Sequence, residues 1–231
     1  MPVPQDFNRL LAAAAREMAA EPSTGDTLQS AVRLATEMVE GCDLAGISLI
    51  RKDRWVDTPY ASHEDMRLID EEQFALGEGP CVDALRDAET VSSTDLANDP
   101  RWPAWGPKVA AEAGVHSCVC VRLFTNGASL GALSLYSCTP KGFSSLDIDH
   151  ALALAAQIAL AFQGSEQLRN FEAGLVNRTV IGQAVGIVME RHSLDPDTAF
   201  KVLARLSSHN NIKLVEVARE LVLTGTLPAA T

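Results

Sequence analysis

A chain of 231 residues with 47% apolar side chains is long enough for one large domain or two small ones, and too apolar for wholesale disorder. Its net charge of −11 opposes a polyanion over the whole surface, yet the excess is confined to residues 1–165, because residues 166–231 hold seven basic and seven acidic side chains. The opening MPVPQDFNRLL has neither the basic nor the apolar region of a secretory signal, and the most apolar run, ALALAAQIALAF at 151–162, is shorter than the ~20 residues of a membrane span, so a cytoplasmic chain with no membrane segment is expected.

FNRLLAAAAREMAA reads as an amphipathic helix closed by PSTGD, whose Ser, Thr and Asp suit a helix cap. A second helix, TLQSAVRLATEMVEGC, spaces Leu28, Val32, Ala35 and Val39 along one face and stops at Gly41. LAGISLI predicts a strand, with a partner in RWVDTPYAS across the charged turn RKD. Residues 63–89 read as helix except for LGEGPC, a glycine–proline loop that opens a short helix, CVDALRDA. A short strand (ETVSS), the loop TDLANDPRWP and a helix through KVAAEAG follow. SCVCVRLF and ASLGALSLYS are two further strands, joined by the hairpin signal TNG. FSSLD caps a long helix, with Ser144 or Ser145 ahead of Asp147. Helices at both ends of a central antiparallel sheet describe an α+β domain of about 150 residues.

From Ser145 the pattern is helical almost to the end. Ile148, Leu152, Ala155, Ile158, Ala159 and Phe162 form one apolar stripe, which resumes out of step after Gly164 with Leu168, Phe171 and Leu175. A helix leaving a domain with such a stripe packs on its twin, so a homodimer through residues 145–176 is expected. Gly164 is then either a hinge or the point where the stripe turns from its own domain to the partner. The tail, 178–222, divides into three helices. Ser193-Leu194-Asp195-Pro196 separates the first two, Pro196 suiting a first helical turn. The second shows Ala199, Phe200, Val202, Leu203 and Leu206, LSSHNNIKL interrupts it, and a third presents Leu214, Val217, Ala218, Leu221 and Val222 inward.

The five cysteines are odd in number and lie mostly among apolar residues, as reduced thiols do. Cys118 and Cys120 share a strand face without a histidine or second cysteine pair, so no metal site and no cofactor are read. Trp102 and Trp105 flank a proline in RWPAW, either to stack a ligand or to anchor packing.

LGEGPCVDAL, VSSTDLANDPRWP, VHSCVCVRL and SLGALSLYS together resemble GAF domains over about residues 24–163. That resemblance implies a sensor domain with a pocket for an unidentified small molecule between sheet and helices. The Asn-Lys-Phe-Asp-Glu signature of cyclic-nucleotide binders is absent, and no Cys–His arrangement suggests tetrapyrrole attachment. Free methionine-(R)-sulfoxide reductases are GAF relatives, which offers an alternative thiol chemistry at Cys81, at a helix start that would lower its pKa, and Cys118; the other reading of these thiols is small apolar filling.

QAVGIVMERHSL, DPDTAFKVLARLSS and NNIKLVEVARELV resemble, in order and spacing, the ANTAR domain of bacterial antitermination regulators. The whole chain thus resembles a GAF–ANTAR regulator of the actinobacterial type: a GAF-like domain at 1–163, a coiled-coil-like helical connector at 164–177 and an all-α three-helix ANTAR-like domain at 178–231. The resemblance implies no enzyme but a regulator that binds paired RNA stem-loops in an mRNA leader and promotes antitermination. It places RNA contacts at Arg178, Gln183, Ala184, Gly186, Arg205, Ser207, Asn211 and Lys213. The residues suit that task, since arginine and lysine meet phosphate or guanine and asparagine offers donor and acceptor to a base. Gly182 and Gly186 share a helix face, where each glycine costs about 1 kcal/mol against alanine, so another helix or an RNA must come close. Val185 stands where family members often carry a basic residue, removing a cation worth about one unit of salt slope.

Overall fold

The computed structural model describes residues 5–50, 56–86, 89–125 and 128–227. The turns read at 51–53 and 126–127 lie outside the described residues. Helices α1 (Gln5–Ala20) and α2 (Thr24–Met38) precede strands β1 (Leu44–Ile50) and β2 (Val56–Ala61). Helices α3 (Asp65–Leu76) and α4 (Pro80–Arg86) lead to β3 (Thr90–Ser93), and α5 (Trp105–Glu112) leads to the long pair β4 (Ser117–Thr125) and β5 (Ala128–Ser137). Then come α6 (Ser145–His192), α7 (Pro196–Asn210) and α8 (Leu214–Thr224). The chain divides into two compact units, Met1–Glu166 and Gln167–Thr231.

In the first unit the strands form an antiparallel sheet in the order β2-β1-β5-β4-β3. Strand alternation sends Ala45, Ile47, Leu49, Val119, Val121, Leu123, Leu133 and Leu135 to one face, where α1, α2 and the start of α6 cover them. Leu44, Cys118, Cys120, Ala132 and Tyr136 point to the other, under α3, α4 and α5. Both sheet faces are therefore buried. A Cβ on Gly131 would lie 1.9 Å from the Ser48 carbonyl, so only glycine lets β5 run this close to β1 at the pair Leu49–Gly131.

The stripe read on α6 splits as its two segments suggested. Ala151, Leu154, Ala155, Ile158 and Ala159 are buried in the first unit's core, with Ile148, Leu152 and Phe162 packed at its edge. Leu168, Phe171 and Leu175 are exposed by 59%, 64% and 47%. Gly164 interrupts nothing, since α6 is one helix of 48 residues. Its start is fixed by Ser144, whose N–H and hydroxyl donate to Asp147 Oδ2 at 2.8 and 2.6 Å while the Asp147 N–H donates back at 3.3 Å. At that length α6 is, among the described residues, apolar and long enough to cross a membrane by composition, which the 151–162 run alone did not predict. A third of its apolar stretch is buried, with Ala151, Leu154, Ala155, Ile158 and Ala159 in the core of the first unit.

The second unit is a small bundle. Ala184 and Val188 of α6, Ala199 and Leu203 of α7, and Val217, Ala218 and Leu221 of α8 form its core. Asp195 caps α7, its carboxylate accepting from the Thr198 N–H at 3.0 Å and hydroxyl at 2.6 Å, and Pro196 takes the first helical position. These hydrogen bonds hold the Asp195 carboxyl below its ordinary pKa.

Candidate functional site

In the first unit, the sheet face under α3–α5 carries a buried polar cluster. Helix α3 turns Met66, Ile69, Asp70 and Gln73 inward at helical spacing. Asp70 Oδ2 accepts from Ser48 Oγ of β1 at 2.8 Å and from Thr58 Oγ1 of β2 at 2.6 Å. Gln73 Nε2 donates to Asp70 Oδ1 at 2.8 Å and to the Tyr136 hydroxyl of β5 at 3.0 Å, while its Oε1 accepts the Cys81 N–H at 2.8 Å. One side chain thereby ties α3 to the sheet and to the start of α4. The LGEGPC loop bends around it, for a Cβ at Gly79 would strike the Gln73 side chain. Glu78 of the same loop accepts the N–H groups of Ala104 and Trp105 at 2.9 and 3.1 Å, putting a carboxylate on the N-terminus of α5.

Trp102 and Trp105 prove to be packing anchors. They are 1% and 0% exposed, meet edge to face at 5.8 Å, and hydrogen-bond to Asp83 and to the Ile69 carbonyl. The buried thiols of Cys81, Cys118 and Cys120 are equally committed. Hydrogen bonding with Cys120 and then burial push Cys81 well above the ordinary thiol range, and burial pushes Cys118 up to about 12. The expectation that a helix start would lower the Cys81 pKa is overturned, because hydrogen bonding with Cys120 and then burial outweigh the short α4.

Burial raises the Asp70 carboxyl from 3.8 to about 6, against the three hydrogen bonds that favour its charge. The folded state then holds a proton that the unfolded chain has released between roughly pH 4 and 6. This contribution is complete below the unfolded pKa and is lost as pH rises through about 6. Urea titrations from pH 4 to 7 should show the first unit losing stability with rising pH, by at most about 1.4 kcal/mol per pH unit from this group. Asp70→Asn should flatten that slope; an unchanged slope would exclude Asp70 as its source.

In the second unit, the turn SSHNN is built from its own polar groups. Asn211 takes the left-handed conformation at φ 53° and closes α7, with its N–H and that of Ile212 donating to the Ser207 carbonyl. Ser207 Oγ donates to the Ile212 carbonyl at 2.6 Å. Ser207 is half-buried and occupied by the turn, whereas the Asn211 and Lys213 side chains are exposed. Arg178, Gln183, Gly186 and Arg205 are exposed as well. No carboxylate among the described residues pairs with Arg178, Arg205 or Lys213.

Ala184 is a correction to the expected contact set: at 0% exposure it belongs to the bundle core and presents nothing to a ligand. Val185 packs half-buried at the rim of that core. Among the described residues a Cβ at Gly182 or Gly186 would meet nothing within 4 Å, so that face of α6 is open there and no described contact explains the two glycines. Arg205 and Ser207 are two positions apart on a helix, a turn of about 200°, and so lie on opposite flanks of α7.

The family model of the GAF domain matches residues 21–163, and that of the ANTAR domain matches 169–222. The chain is a GAF–ANTAR protein. No curated protein matches it. Among solved structures, the GAF domain of an Acinetobacter phosphoenolpyruvate-protein phosphotransferase is 15% identical, with a TM-score of 0.56 over 73% of this chain and 99% of that one. The free methionine-R-sulfoxide reductase of Neisseria meningitidis, solved with its substrate, is 19% identical at TM-score 0.53, over 70% of this chain and 91% of its own. Bacteriophytochrome RpBphP3 of R. palustris is 12% identical at TM-score 0.65, over 97% of this chain and 47% of its own. At these identities the likeness extends to fold alone. The GAF and ANTAR pairing points to a regulator rather than an enzyme.

The buried set in the GAF domain is what residue-by-residue reading missed. Its signal was present in DMRLIDEEQFAL, where Asp70 and Gln73 occupy the apolar-face positions set by Met66 and Ile69.

Proposed function

We propose that this GAF–ANTAR protein is a signal-responsive, cytoplasmic RNA-binding regulator that engages paired stem-loops in nascent mRNA and promotes transcription antitermination. The observation that carries the reading is the ANTAR match lying on a neutral three-helix bundle whose Arg178, Arg205 and Lys213 are exposed and uncompensated. RNA contacts are assigned to Arg178, Gln183 and Gly186 on α6, to Arg205, and to Asn211 and Lys213 at the turn. Ser207 shapes that turn, and Ala184 only packs. A hairpin loop offers phosphates and unstacked base edges, which suit this mixture of sparse cations and amides. The open backbone at Gly182 and Gly186 supports a close approach by a partner molecule.

A homodimer fits the exposed Leu168, Phe171 and Leu175, spaced as a seam of α6. Two copies would supply one ANTAR unit per loop. The GAF domain receives the signal as an unidentified small molecule.

The test is a fluorescence titration of the full chain against an RNA with two short-looped hairpins, at two salt concentrations, beside duplex DNA. Binding to RNA alone is expected, with log Kd shifting by about 0.7–0.9 log units per log unit of salt for each phosphate neutralised. Equal affinity for DNA, or no RNA binding by an intact dimer, would remove the reading.

A further inference from the structure

The flank of α7 that faces away from Ser207 is a groove of about 710 Å³ in the ANTAR domain. Its floor is apolar: Leu194 after α6, Val202 and Leu206 of α7, and Leu227 after α8. The rim consists of His192, Arg205 and His209, all exposed, and among the described residues no carboxylate lines it. Arg191 donates to the Gly225 carbonyl and so holds the chain just before Leu227. The volume falls in the ~300–1,000 Å³ range of small-ligand sites.

A phosphate site would gather several cations or backbone N–H groups, whereas this groove has one guanidinium above leucines and a valine. The three polar groups at its rim are instead flat π systems, two imidazoles and a guanidinium. Unstacked RNA bases are held on such faces, with an apolar wall excluding water behind them. The single positive charge, unopposed within the lining, complements the phosphate that follows the base.

We infer that this groove receives an extruded base of the hairpin loop, stacked against His209, His192 and the Arg205 guanidinium. The inference rests on the RNA-binding reading and deepens it. It divides the work between the two flanks of α7: Asn211 and Lys213 at the turn meet one part of the loop, and the groove takes a base from another. Arg205 is thus a stacking group as well as a charge.

The experiment uses the full chain and two-hairpin RNAs in which each loop nucleotide is replaced in turn by an abasic residue or by fluorescent 2-aminopurine. At one position, removing the base should weaken wild-type binding roughly tenfold, and 2-aminopurine there should lose fluorescence on binding. His209→Ala should abolish both effects at that position and His209→Phe should restore them, because the aromatic face is kept. Lys213→Ala should lower affinity for every RNA alike and leave the 2-aminopurine signal intact. If RNA binds but no loop position depends on His209 and Arg205, the groove is not a base pocket, and a partner helix or apolar ligand becomes its occupant. If no RNA binds at all, the regulator reading fails and the pocket with it, so the two failures are distinguishable.

Discussion

Trp105→Ala is expected to destabilise the GAF domain by about 3–5 kcal/mol, the range for emptying a fully packed aromatic site. The ring is 0% exposed, packs against Trp102 and lies 6.4 Å from the Tyr136 ring, so neighbours on two elements lose contact together. Its indole N–H also releases the Ile69 carbonyl beside Asp70. Against a typical domain stability of about 5–15 kcal/mol, that loss is a large share. Urea denaturation followed by the fluorescence of the two remaining tryptophans, Trp55 and Trp102, should show the midpoint falling sharply. The ANTAR bundle has a separate core without tryptophan, so the helical signal should retain a component that unfolds where it does in the wild type. An unshifted midpoint would mean that Trp105 lies outside the cooperative core.

The second large effect concerns assembly. Leu168→Glu with Phe171→Glu places like charges along the proposed seam, where each copy would face the other. Light scattering should report a monomer. Affinity for the two-hairpin RNA should fall by about 10²–10⁴-fold, because linked binding of the second loop is lost. Affinity for a single hairpin should stay unchanged, as neither residue belongs to the ANTAR core or to the proposed contacts. A variant that remains dimeric would move the seam elsewhere; a monomer that keeps full affinity for two loops would remove the paired-loop reading.

Much of the fold was legible because its elements repeat cleanly. SCVCVRLF and ASLGALSLYS are apolar runs on either side of a hairpin signal and became β4 and β5; Asp195-Pro196 opened α7 where a cap and a first-turn proline belong. The continuity of α6 was harder to read. Gly164 interrupts the stripe on paper, yet one glycine costs only about 1 kcal/mol within a helix of 48 residues. The Ser48–Thr58–Asp70–Gln73–Tyr136 cluster was missed because its hydrogen bonds join residues up to 63 positions apart. Spacing along the chain could nominate Asp70 for burial, but only the sheet register names its partners. For the tail, the residue types were readable and their directions were not. Ala184, Arg205 and Ser207 went into one set, and helix phase assigns them to a core and two opposite flanks.

The left-handed Asn211 gives that position two occupations in one residue. A β-branched side chain there would strain the turn before it removed an amide from the surface, and the residues that suit it best are glycine and the short Asx side chains. Among related sequences, a glycine at this position would mark a chain that keeps the same bend and has surrendered the amide. Comparing such natural variants would separate the architecture of the loop from its vocabulary, a distinction that an alanine at 211 blurs.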